Sequence, residues 1–200
     1  MLFRSVTIKD VAKKAGVSPS TVSRVLSGNT VVSDSTRQRV LETVKILNYR
    51  PNFLARGLKK GKTKTIGLII PNIRNPIFPV VARGVEDVAK KHSYTVVLCN
   101  TDEDVEIERE YIEKLRKRWV DGLIIAPAAK EIEHIKELQE EGFPMVLVIR
   151  NIDISVNAII IDNFRAAYEA VSFLIKTGYR RIAIIRGNQQ LELYKERFNG

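Results

Sequence analysis

The chain has 200 residues, 44% of them hydrophobic, one cysteine and a net charge of +10. This apolar share suits a globular protein and excludes a disordered one. The lone Cys99 excludes an internal disulfide or a cysteine metal cluster, and no stretch approaches the roughly 18 apolar residues of a membrane span. The opening MLFRSVTIKD has no cleavage-like apolar segment, so the simplest compartment is the cytoplasm. Charge is unevenly placed: residues 1–64 carry 14 Lys/Arg against 3 Asp/Glu, while residues 65–200 carry 19 against 20. A basic module joined to a near-neutral body points to a polyanion partner for the module alone.

Thr7 precedes Ile8-Lys9-Asp10, where it can cap a helix whose first turn holds a favourable acid. Ile8, Val11, Ala12 and Ala15 share one face, and Gly16 ends the helix. Ser18 then caps again, with Pro19 at the first helical position, where its missing N–H costs nothing. This second helix runs to about Leu26. It keeps Val22, Val25 and Leu26 for a core and turns Pro19, Ser20 and Arg24 outward. Two short helices around a tight turn read as a helix-turn-helix, although an ordinary helical hairpin has the same boundaries. In the first reading small side chains let the second helix seat deeply in a major groove, and Arg24 can donate two hydrogen bonds to a guanine.

Ser33 caps a third helix expected over 34–47, with Val40, Leu41, Val44 and Leu47 as its apolar stripe. Asn52 can cap a short helix from Phe53 to Leu58, followed by the basic run Lys59–Lys64. That segment reads either as a plain linker or as a helix that orders on DNA and inserts a side chain into the minor groove.

From residue 65 strand-like and helix-like runs alternate. Strands are expected at 65–70, 94–99, 120–126, 144–149, 158–161 (short) and 181–185, and helices at 79–92, 104–118, 129–141 and 163–177. The 79–92 helix is expected to line one side with Val80, Val81, Gly84, Val85, Val88 and Ala89. Continuous Val/Ile/Leu strands between helices mean a parallel sheet covered on both faces. Ligands of such sheets bind beyond the carboxyl ends of the strands. There lie residues 71–78, 100–102, Pro127, Arg150, Asp162 and Asn163, polar groups with one aromatic, Phe78, that suit a small polar ligand or simply cap loops. No G-x-G-x-x-G follows the first strand, and there is no Walker loop, G-x-S-x-G or metal-ligand spacing. His92 and His134 fall in helix patterns and read as surface residues. No enzyme, cofactor or metal is expected.

The residues VTIKDVAKKAGVSPSTVSRVLSGNTVVSDSTRQRVLETVKILNYRPNFLARGLKKGKTKTIGLIIPNIRNPIF, with the later blocks YTVVLCNTDED, REYIEKL, VDGLIIAP, IIIDN and RRIAIIRG, carry a resemblance across essentially the whole chain. It resembles the LacI/GalR family of bacterial transcription repressors. The resemblance implies a small all-α helix-turn-helix head with a hinge helix, then a partial α/β periplasmic-binding-protein-like domain with a parallel sheet. The implied divisions are a DNA-binding domain over 1–50, hinge helix and basic linker over 51–64, and the N-terminal subdomain of an effector-binding and dimerisation domain, incomplete, over 65–200. Ser18, Pro19, Ser20 and Arg24 would lie on the recognition helix, the last three reading base edges. Thr7, Ser23, Asn29 and Tyr49 would contact phosphate or backbone, and Leu58, beside Ala55, would enter the minor groove.

The implied partners are double-stranded operator DNA, a sugar- or nucleoside-like effector and, given a full-length effector domain, a second copy of the chain. No membrane is involved, and the implied location is the cytoplasm, at the nucleoid. Asn75, Phe78, Asp102, Arg150, Asp162 and Arg197 match positions that line the effector cleft in this family. The sequence departs from the pattern at Gly57 (commonly Ser), Ile149 (commonly Asp), Arg74 and Tyr179. It ends early in a helix pattern, whereas family members are longer, so an incomplete effector domain with weak effector response is expected of these residues.

Overall fold

The computed structural model describes residues 6–28, 32–49, 62–118, 120–128, 132–150, 152, 154–188 and 191–200. They fall into two compact units, 1–59 and 60–200. The expected helix from Phe53 to Leu58, and with it Gly57, lies outside the described residues, as does Asn29.

The first unit contains α1 (Ile8–Ala15), α2 (Pro19–Leu26) and α3 (Asp34–Ile46). Thr7 caps α1 through a reciprocal box. The Asp10 carboxylate accepts from the Thr7 N–H at 2.8 Å and its hydroxyl at 2.7 Å, while the Asp10 N–H donates to Thr7 Oγ1. Gly16 ends α1 at φ +64°, a left-handed conformation that costs glycine little. Ser18 caps α2, accepting from the Thr21 N–H at 3.2 Å, with Pro19 opening the helix. Val11, Ala12, Ala15, Val22, Val25 and Val40 form the buried core, and Ile8, Val17, Leu26, Val32, Val44, Leu47 and Tyr49 pack around it.

Two expectations for α3 change. Leu41 is 45% exposed, and Thr43 takes the buried place beside Val40. A buried threonine is tolerated because its hydroxyl donates to the Arg39 carbonyl at 2.8 Å. Ser33 occupies the cap position, but its hydroxyl bonds the Thr36 hydroxyl and leaves the backbone N–H groups alone.

The second unit is built on a sheet of β1 (Thr65–Ile70), β2 (Thr95–Asn100), β3 (Gly122–Ile125), β4 (Met145–Val148) and β5 (Ala158–Ile159). Its order is β2-β1-β3-β4-β5, all neighbours parallel. Connecting helices are α4 (Ile77–Lys91), α5 (Val105–Arg118) and α6 (Glu133–Glu140); α7 (Asn163–Lys176) and α8 (Glu192–Asn199) follow and pack on each other. The strand period of two sends Leu68 and Ile70 to one face and Ile69 to the other. The first face buries Phe78 with Ala126 and Val148, next to Val81, Ala82 and Val85 of α4. The second packs Cys99, Leu123, Ile125 and Leu147 against Ile112 and Leu115 of α5 and Ile135 and Leu138 of α6. Burial there pushes the Cys99 thiol pKa up.

Gly67 of β1 faces Leu123 of β3 and Leu115 of α5. A Cβ at that position would fall 2.6 Å from a Leu123 methyl and 2.8 Å from one of Leu115. Asp121, just before β3, fastens the incoming chain. Its carboxylate accepts from the Thr63 N–H (2.6 Å), the Thr63 hydroxyl (2.8 Å) and the Lys64 N–H (3.0 Å).

The structure narrows several elements. On α4 Phe78, Val81, Ala82 and Val85 pack on the sheet and Ala89 is buried, whereas Val80, Gly84 and Val88 of the expected lining are exposed. Residues 181–185 do not form the expected strand, and Ile185 is fully exposed. None of the described strands pairs with this run, and a strand without a partner cannot satisfy its backbone groups. His134 is not a surface residue: it is 3% exposed. None of the described helices is long and apolar enough to cross a membrane.

Candidate functional site

In the first unit α2 sends its three apolar side chains inward, so Pro19, Ser20, Ser23 and Arg24 spread over the opposite arc. Pro19, Ser20 and Arg24 are exposed and Ser23 is half-buried. The Ser18 hydroxyl lies 2.7 Å from that of Ser20 and 2.9 Å from that of Thr21. This knits the tip of the helix into a small polar surface. Thr7 stands at the start of α1 with its hydroxyl engaged by Asp10, and the Tyr49 ring is half-buried against the core. Ala55 and Leu58 lie outside the described residues. A helix with small polar side chains at its exposed start and one arginine a turn later has the chemistry of major-groove readout.

In the second unit the strand order turns around between β1 and β3, and it is beyond the carboxyl ends of the strands at such a point that parallel sheets place their binding crevice. Asn75 lies on the loop after β1, accepting from the Ile77 N–H at 3.3 Å. Asn100, at the end of β2, accepts from the Ile73 N–H at 2.6 Å and donates to Asp102 Oδ1 at 2.8 Å. Arg150 follows β4, its side chain only 8% exposed. Its Nη1 donates to Glu103 Oε2 (2.7 Å) and to the carbonyls of Pro127 (2.8 Å) and Ala128 (3.1 Å), and its Nη2 donates to Glu103 Oε1 (2.8 Å). The Phe78 ring lies 5.9 Å from the guanidinium carbon, but at 1% exposure it belongs to the core beneath the crevice.

The remaining two candidate residues form a separate group. Asp162 caps α7, accepting from the Arg165 N–H at 2.8 Å. Arg197 Nε donates to Asn163 Oδ1 at 2.8 Å, and Asn163, 5% exposed, donates to Glu196 at 3.2 Å and to the Ile161 carbonyl at 3.0 Å. The structure thus joins Arg150 to Phe78, and puts Arg197 beside Asn163.

Two participants escaped the sequence reading. Glu103 is the partner of Arg150, and Glu108 supports the loop that holds it. Fully buried on α5, Glu108 accepts from the Ala128 N–H at 2.8 Å and meets His134 Nε2 at 2.7 Å. His134 Nδ1 is buried with no hydrogen-bond partner among the described residues. The pair therefore fits an imidazole protonated at Nε2 and donating to the carboxylate. A signal for both was present. Glu108 stands on the stripe of Ile112 and Leu115, and His134 on that of Leu138. Among the described residues no group of three or more His, Cys, Asp or Glu could hold a metal ion.

Residues 7–52 match the family described as bacterial regulatory proteins, lacI family, and residues 63–200 match periplasmic binding proteins and sugar binding domain of LacI family. The HTH-type transcriptional regulator RegA of Clostridium saccharobutylicum is 42% identical over 90% of this chain and 55% of its own length. The ribose operon repressor of Halalkalibacterium halodurans is 42% identical over 97% of the chain and 58% of its own. The chain spans little more than half the length of these curated relatives. Among solved structures, the lac repressor dimer bound to operator and the anti-inducer ONPF superimposes with TM-score 0.82 at 25% identity, over 98% of this chain and 60% of that one. A cellobiose complex of the regulator CelR gives TM-score 0.59 at 28% identity, over 97% and 59%.

Proposed function

The chain belongs to the LacI family of bacterial regulatory proteins, and from that premise we propose that it is a sequence-specific DNA-binding transcriptional regulator, a repressor controlled by a small sugar- or nucleoside-like effector. The observation that carries the proposal is the outward arc of α2, small and polar at Pro19 and Ser20 and cationic at Arg24, on a unit with a core of its own. Pro19, Ser20 and Arg24 read base edges. Ser18 fixes the helix tip, Thr7, Ser23, Asn29 and Tyr49 meet the phosphate backbone, and Leu58 with Ala55 enters the minor groove. The working divisions are residues 1–50 for DNA, 51–64 for hinge and linker, and 65–200 for effector and partner copy. The protein is not an enzyme; the regulators among its relatives support this. It acts in the cytoplasm, at the nucleoid.

Two such heads on one operator require a dimer. A surface for it is supported by exposed Val80 and Val88 on α4 and exposed Leu98 on the edge strand β2. The crevice residues Asn75, Asp102 and Arg150 receive the effector, with Phe78 below them and Asp162 and Arg197 on the α7–α8 side.

The test is selection from random double-stranded DNA at moderate salt. Enrichment of a palindrome built from two related half-sites is the expected result. Salt-sensitive binding with no enriched sequence overturns the proposal.

A further inference from the structure

We infer that Glu103 sets the charge class of the crevice: by neutralising Arg150 it makes the site one for a neutral polyhydroxylated ligand and closes it to phosphorylated or otherwise anionic ones. The inference rests on the effector reading above and deepens it.

An unpartnered arginine in a crevice is ordinarily an anion site, since its fork of donors matches phosphate and carboxylate. Here the fork is already taken. Both Glu103 oxygens accept from it, at 2.7 and 2.8 Å, and two backbone carbonyls complete the set. All four contacts fall on Nη1 and Nη2. A guanidinium has five N–H donors; three contacts share the two on Nη1 and one takes a single N–H of Nη2, so the second Nη2 N–H and the Nε–H are left for a ligand.

The geometry around the pair is specific. Asp102 and Glu103 both have left-handed backbone, φ +52° and +66°. Ile149, just before Arg150, sits at φ +66°, inside a three-residue turn closed by the Arg150 N–H to the Val148 carbonyl at 2.7 Å. Such a conformation is costly for a β-branched residue and persists only where the surroundings over-determine it. Among the described residues, three of the six non-glycine residues with positive φ therefore converge on one ion pair.

An anionic group that took over the Arg150 fork would have to break two charge-assisted bonds, and one that met only the free N–H groups would find the Arg150 charge already neutralised. It would also leave the Glu103 carboxylate facing it, with Asp102 next along the chain. A phosphate monoester dianion has only acceptors, so it cannot bond Glu103 at all. A ligand hydroxyl donates to Glu103 and accepts from Arg150 at once, and both charges stay paired.

The test is inorganic phosphate titrated into the 200-residue protein at constant ionic strength. Side-chain NMR of Arg150 Nε–H is the readout, because it separates the crevice from the basic head. In the parent protein the resonance should not move, and a saturable shift there overturns the inference without any variant. Glu103→Gln should bring a saturable shift and phosphate affinity tighter by about tenfold or more. Glu103→Asp, which keeps the charge, should not. A Glu103→Gln variant that folds, by circular dichroism, and gains no phosphate binding also overturns it. Failure of sugars to release operator DNA would strike the effector reading alone and leave the phosphate result standing.

Discussion

Arg24 is exposed on α2, one turn beyond Ser20. If it reads a guanine, Arg24→Ala should cost about 1–3 kcal/mol and relax preference at one position per half-site, measured by binding to single-base operator variants. Equal weakening on every sequence would make it a phosphate contact. Asp121 offers a second residue-level test. Burial raises its pKa, but the hydrogen bonds from Thr63 and Lys64 outweigh this and hold it below the ordinary aspartate value. A lowered folded-state pKa adds stability above the unfolded value, and that stability is lost as pH falls through the folded one. Asp121→Asn should therefore be less stable than the parent at neutral pH, and denaturation midpoints of the two should draw together below about pH 4.

Elements whose ends are decided locally were legible. Thr7, Gly16 and the Ser18-Pro19 pair mark the borders of α1 and α2, because caps and left-handed stops act within a few residues. Elements decided by distant neighbours were not. Residues 181–185 have a strand's composition, yet a strand exists only beside another. Glu103 sits in the acidic run Asp102-Glu103-Asp104, where it looks like a helix cap, and its partner is 47 positions away. Glu108 and His134 broke their apolar stripes, which was a readable sign of buried polar pairing. At this scale Gly67 is the sharp test. Its place against Leu123 and Leu115 leaves no room for a methyl group, so Gly67→Ala should destabilise the second unit by about 1–3 kcal/mol in chemical denaturation.

At the scale of the whole molecule, charge and folding are divided between two units with separate cores. Under the proposed function, the excess of 14 basic over 3 acidic residues in 1–64 assigns the electrostatic attraction to DNA to the head. Affinity should fall steeply with salt, at about 0.9 in log–log slope per phosphate neutralised, and Lys62→Ala should lower that slope. Val22 is fully buried in the smaller core. Val22→Ala should cost the head about 2 kcal/mol and most of its DNA binding. The thermal transition of residues 60–200, followed by circular dichroism, should stay where it was.

The Asp121 clamp has a mechanical consequence. It grips the chain at the entry ends of β1 and β3, whereas Glu103 and Arg150 meet beyond the exit ends of β2 and β4. Six residues of strand separate the two ends of β1, about 20 Å. Hydrogen-bonded parallel strands do not stretch, so a ligand cannot tug the linker along its length. What the clamp does is couple the chain at Thr63 and Lys64 to β3 as well as to β1, so these two residues move only as the sheet moves.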